Sequence, residues 1–136
     1  RKGGSYVSPT TVMRSLRRVG SLCESEDERA AKDLFAQGVA PQGDLQSAQM
    51  HLEADGTCIR LQRVSEGDPQ RVEIKALVAY ADKVGHGKKV KRINCVHHGC
   101  VGSSDAFWTQ GIAAIGTRYD LTKIKECHLG TDGEFW

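Results

Sequence analysis

Two Asp-Gly pairs carry the chemistry this sequence offers. Asp55-Gly56 stands in the alternating stretch His51-Leu52-Glu53-Ala54-Asp55-Gly56-Thr57. Asp132-Gly133 follows Cys127-His128-Leu129-Gly130-Thr131, with the second Asp 77 residues after the first. Side chains of a strand alternate between its faces. His51, Glu53, Asp55, Thr57, Ile59 and Leu61 therefore share one face, and Leu52, Ala54 and Cys58 the other. Glu53 beside Asp55 is costly unless water or a cation offsets the two charges. A short apolar strand running into Asp-Gly at both places predicts that Asp55 and Asp132 meet and share a divalent metal ion. The bland alternative is that Asp-Gly is a common turn dipeptide.

A second constellation competes for metal. Cys95-Val96-His97-His98-Gly99-Cys100 puts two thiols and two imidazoles within six residues. Zinc needs four ligands converging in a tetrahedron. On a strand Cys95 and His97 share a face while His98 and Cys100 point elsewhere, so these residues read as strand-end polar groups and small core thiols.

The elements that must position the carboxylates follow from periodicity. Strand one covers about 50–63, with Gly56 a candidate bulge. Glu66-Gly67-Asp68-Pro69 turns the chain. Strand two covers about 71–80, and Gly85-His86-Gly87 turns again. Strand three covers about 89–98. A helix over about 104–119 follows, capped by Ser103 or Ser104, with Trp108, Ile112, Ile115 and Tyr119 on one face. Strand four, about 124–131, delivers Asp132. Parallel pairing of strand four with strand one would make Asp55 and Asp132 neighbours.

Two helices precede this core. Ser8 and Pro9 open one that Gly20 can end, with Val12, Leu16 and Val19 as its apolar stripe and Arg14, Arg17 and Arg18 off it. Ser25 and Glu28 form a capping box for the second, about 25–37. Residues 1–37 are thus a helical region, 38–49 a linker, and 50–136 the core.

Net charge is only +2, but residues 1–20 hold five basic side chains and no acid, and Lys88, Lys89, Lys91 and Arg92 form a second basic cluster. Such patches suit phosphate contact better than net charge suggests. The first patch reads as the recognition helix of a helix-turn-helix or as a solvated helix face. The second reads as DNA-phosphate contacts or as lysines that protect a sheet edge. Five cysteines, an odd count without a signal peptide, suggest reduced thiols and a cytoplasmic setting. No apolar run reaches membrane-spanning length. The chain opens on Arg1 and closes on Phe135-Trp136, so a piece of a longer protein is expected.

Leu52-Glu53-Ala54-Asp55-Gly56-Thr57, Leu61-Gln62-Arg63, Glu73-Ile74-Lys75 and Val78-Ala79-Tyr80 resemble the ISLre-type group of bacterial insertion-sequence transposases. So do Phe107-Trp108, Thr117-Arg118-Tyr119-Asp120-Leu121 and Gly130-Thr131-Asp132-Gly133 with Trp136. The resemblance spans about residues 50–136. It implies a ribonuclease H-like α/β fold: a mixed sheet with a three-stranded meander, a helix and a fourth strand, here truncated and preceded by helices. Asp55 matches the family's first catalytic carboxylate and Asp132 its second. The third would lie downstream of a fifth strand, so a chain of this length is not expected to be an efficient enzyme alone. The implied cofactor is Mg²⁺ (or Mn²⁺), held by Asp55 and Asp132. Glu53 and Glu134 each lie two residues from one Asp, which by spacing makes them further ligands, supporting groups or solvated side chains. The implied partners are DNA, as element ends and target, and further copies of the chain, with neither a membrane nor a small-molecule substrate. The rivals are a non-catalytic DNA-binding remnant and another nuclease of the same fold, such as a resolvase or ribonuclease.

Overall fold

The computed structural model of the chain describes residues 7–62 and 64–132, and of Lys88 the backbone alone. The Lys88 side chain, Gly133, Glu134 and Trp136 therefore lie outside the described residues.

Helix α1 (Pro9–Gln37) begins as expected. The Ser8 side chain accepts a hydrogen bond from the Thr11 N–H at 3.2 Å, and Pro9 occupies the first turn. The expected stop at Gly20 does not occur, and one helix replaces two. A glycine inside a helix costs about 1 kcal/mol relative to Ala, too little to end a helix with no proline behind it. Ser25 is no cap: its hydroxyl donates back to the Ser21 carbonyl at 3.0 Å. Gly38, at φ +69°, ends the helix, and the Val39 N–H reaches the Asp33 carbonyl at 2.8 Å. A methyl group added at Gly20 would meet nothing within 4 Å. Gly20→Ala is therefore expected to stabilise this part of α1 by about 0.5–1 kcal/mol. Amide exchange across residues 12–26 would slow. Faster exchange would show that the helix does not continue through Gly20.

Strand β1 (Gln49–Arg60) and strand β2 (Arg71–Tyr80) pair antiparallel in unbroken register, with Gly56 opposite Lys75, so the expected bulge at Gly56 is absent. The expected third strand divides. Strand β3 (Asp82–Val84) and strand β4 (Lys91–Ile93) make a separate two-stranded ribbon, and strand β5 (Val96–Cys100) pairs with β2. The break falls at Asn94, which has φ +54°, a conformation Asn tolerates better than most residues. The Tyr119 hydroxyl donates to the Asn94 carbonyl at 2.7 Å and pins the kink.

Helix α2 (Ser104–Gly116) is capped by Ser103, whose side chain accepts from the Ala106 N–H at 3.1 Å. It stops three residues before the expected Tyr119. Strand β6 (Glu126–Gly130) then runs parallel to β1. The main sheet has the order β5-β2-β1-β6. This is a mixed α/β architecture with a four-stranded mixed sheet and two helices.

The core lies between α2 and one face of the sheet. Met50, Ala54, Leu77 and Ala79 come from β1 and β2, Phe107 and Ile115 from α2, and Tyr119 from the turn after it. Trp108 is partly buried, edge-on to Phe107 at 5.0 Å between ring centroids, in a packing role. The second half of α1 joins this body: Ala31 is buried, and Asp27 lies 3.6 Å from His98 Nδ1. Among the described residues, no helix is long and apolar enough to cross a membrane.

Candidate functional site

The sheet register decides where the two carboxylates stand. Met50, Leu52 and Ala54 turn towards the helices, leaving His51, Glu53 and Asp55 on the opposite face of β1. β6 pairs with β1 from Gln49↔Glu126 to Glu53↔Gly130. β1 continues through Asp55, whereas β6 ends at Gly130, two residues before Asp132. Both Asp residues are exposed. One Asp55 oxygen accepts the Gly56 N–H at 2.8 Å, which orients the carboxylate at its own backbone.

Glu53 is engaged elsewhere. It accepts the Tyr80 hydroxyl at 2.7 Å, lies 3.3 Å from Lys83 Nζ, and pairs closely with Arg92. The Tyr80 hydrogen bond does most to hold its carboxyl at about 2, against an ordinary 4.5. Partial burial opposes the shift, and Arg92 and Lys83 add to it. A group with a lowered folded pKa stabilises fully above its unfolded value, and that contribution fades as pH falls through the folded one. The ribbon β3–β4, which carries Lys83 and Arg92, is therefore expected to loosen between about pH 4.5 and 2. Resonance shifts of Lys83 and Arg92 followed through this range check it, and Glu53→Gln should flatten the response.

Aromatic packing extends this network across the sheet. Tyr80 is buried, Lys83 Nζ lies 5.2 Å and Arg92 Cζ 5.5 Å from its ring centroid, and His51 stacks on it at 5.2 Å. His128 stacks on His51 at 5.0 Å. The row β2, β1, β6 thus runs Tyr80, His51, His128, with Glu53 at its Tyr80 end. Sequence reading missed Tyr80 and Lys83 as partners of Glu53. Their only signal is register, because Tyr80 lies opposite His51 only once β1 and β2 are paired.

Asp55 and Asp132 suit a hydrated ion better than a closed cage. Among the described residues no three His, Cys, Asp or Glu side chains gather to hold a metal. Mg²⁺, however, is often bound through one or two carboxylates, keeping several waters and taking substrate phosphate oxygens. His98 and Cys100 do not converge with His97. His98 faces Phe107 on the helix side, at 6.0 Å between centroids, whereas the adjacent His97 points to the other face. His98 is buried, its Nε2 has no hydrogen-bond partner among the described residues, and burial lowers its pKa against the opposing pull of Asp27.

The basic candidates are separated in the fold. Arg14, Arg17 and Arg18 are exposed on the first half of α1, and Lys89 and Lys91 are exposed at the β3–β4 ribbon. Arg92 is committed to Glu53. A cleft of about 600 Å³ opens between α1, the end of β5 and the start of α2, bordered by Cys23, Glu24, Asp27 and Cys100 and not by either candidate Asp. Comparison with protein-family models, curated proteins and solved structures finds no match.

Proposed function

We propose that this chain is part of a DDE-type insertion-sequence transposase, with a ribonuclease H-like domain that cleaves and joins DNA using Mg²⁺ or Mn²⁺. The observation that supports the reading is the parallel pairing of β1 with β6, whose last pair, Glu53 with Gly130, lies two residues before Asp55 and Asp132. Asp55 and Asp132 would hold the ion. When bound, it would supply charge to activate the attacking oxygen and stabilise the leaving oxygen of a phosphodiester. The chain's own part is to orient these carboxylates, through the Asp55–Gly56 contact and the paired strands, and to keep Glu53 tied to Tyr80. Arg14, Arg17, Arg18, Lys89 and Lys91 would contact DNA phosphates, making binding salt-sensitive.

Titrating Mn²⁺ into the chain and following its electron paramagnetic resonance signal tests the site. Asp55→Asn and Asp132→Asn are each expected to weaken binding at least about tenfold, or about 1.4 kcal/mol. Equal Mn²⁺ binding by the parent and the double variant would remove the metal reading. A non-catalytic DNA-binding role is the second reading, favoured by the exposed basic half of α1. It predicts DNA binding that EDTA leaves unchanged and that Arg17→Ala weakens.

A further inference from the structure

The β3–β4 ribbon gathers positive charge and fixes it in place. Residues 82–93 hold five basic residues, Lys83, Lys88, Lys89, Lys91 and Arg92, against one acid, Asp82. The register pairs Lys83 with Arg92, Asp82 with Ile93 and Val84 with Lys91. Lys83 and Arg92 turn towards Glu53 and the Tyr80 ring. By alternation Asp82, Val84, Lys91 and Ile93 turn the other way, and all four are exposed.

The turn that joins the two strands is tightly built. Gly85 and Gly87 take φ of +118° and +58°, and a methyl group at Gly85 would come within 2.1 Å of the Lys89 carbonyl oxygen. The Lys89 N–H bonds the His86 carbonyl at 3.2 Å. Lys89 and Lys91 are exposed, and among the described residues neither belongs to an ion pair. Holding like charges together costs free energy, which a polyanion offsets. Lysines that only blunt a strand edge need no anchor at the root of the ribbon. Here the anchor is Glu53, on the face of β1 that also carries Asp55 two residues further on.

We infer that the β3–β4 ribbon is the arm through which this domain grips duplex DNA, with Lys89 and Lys91 on the phosphates and Glu53 and Tyr80 as positioning residues that hold the arm on the sheet. The identity of the partner rests on the transposase reading. Beyond that reading, the grip depends on a carboxylate that itself touches no DNA. Lysines carried on an arm already in place give up less freedom on binding than lysines on a loose loop.

Glu53→Gln separates positioning from simple electrostatics, because the two predict opposite signs. If charge alone mattered, removing a carboxylate would tighten binding to a polyanion. If Glu53 positions the ribbon, binding weakens instead. Fluorescence anisotropy of a labelled duplex is followed in EDTA at several salt concentrations, so that no bound metal contributes. Lys89→Ala and Lys91→Ala, both at exposed positions, should each lower the slope of log K against log salt by about 0.9 and weaken unrelated duplex sequences alike. Glu53→Gln should lower it too, towards the about 1.8 that both lysine substitutions give together. With both lysines already replaced, Glu53→Gln should no longer weaken binding. Should Glu53→Gln fail to fold, the two lysine variants decide alone. Lysine variants that keep the parent slope, or tighter binding by Glu53→Gln, would overturn the inference. So would a chain that binds phosphatidylserine vesicles and no duplex. Failure of the metal reading would show separately, as a parent chain that binds no Mn²⁺ while the lysine slopes change as expected.

Discussion

Phe107→Ala is expected to lower the free energy of unfolding by about 3–5 kcal/mol. Phe107 is fully buried and meets the core from α2, where Met50, Ala54, Leu77, Ala79, Ile115 and Tyr119 gather. Truncation removes the apolar burial of the ring and leaves a cavity that this neighbourhood can only partly close. Gly111 already lies so near the sheet that a methyl group there would come within 2.8 Å of Leu77 Cδ2. Collapse of α2 onto the sheet is thus restricted, which favours the upper part of the range. One effect works the other way. His98 lies beside Phe107 with Nε2 unpartnered among the described residues, and a cavity there could admit a water to satisfy it. Urea titration measures the loss. A change below 1 kcal/mol would mean that α2 does not pack on the sheet through Phe107.

Legibility in the sequence followed the range of the interactions. The Ser8 cap, strands β1 and β2, and the start of α2 were readable because capping and alternation act within a few residues. The errors at Gly20 and Asn94 show where local signals mislead. Gly20 looked like a stop, but its penalty is small against the capped turns around it. The strand expected over 89–98 had acceptable composition throughout, yet it breaks where Tyr119, far along the chain, binds the Asn94 carbonyl. The candidate site divides in the same way. Asp55 and Asp132 stood out by repetition of Asp-Gly, and their common offset equals that between the hydrogen-bonded side chains of Gln49 and Glu126. The use of Glu53 could not be read, because its three donors arrive from β2, β3 and β4 only after the sheet and ribbon have formed.

That assembly makes Tyr80 the second position where a large effect is expected. Its ring is 2% exposed, between His51 and the cations of the ribbon, while its hydroxyl holds Glu53. Tyr80→Ala should cost about 3–5 kcal/mol, as for other buried aromatics. It should also release β3–β4, because Lys83 and Arg92 lose the surface they lie on. Tyr80→Phe separates the contributions. It keeps the ring and deletes the hydroxyl, and since the Glu53 side chain is 36% exposed, water can replace much of that bond. A loss of about 1 kcal/mol is expected. The carboxyl of Glu53 should then titrate above its present value of about 2, since the largest cause of its lowering has gone while Arg92 and Lys83 remain. Carboxyl resonances followed against pH, together with amide exchange in residues 82–93, distinguish the outcomes. If Tyr80→Phe releases the ribbon as fully as Tyr80→Ala, the hydroxyl–Glu53 bond is the fastening. If it leaves the ribbon in place while the Glu53 titration moves up, the ring and its two cations hold the ribbon against the sheet, and the hydroxyl serves mainly to keep Glu53 charged.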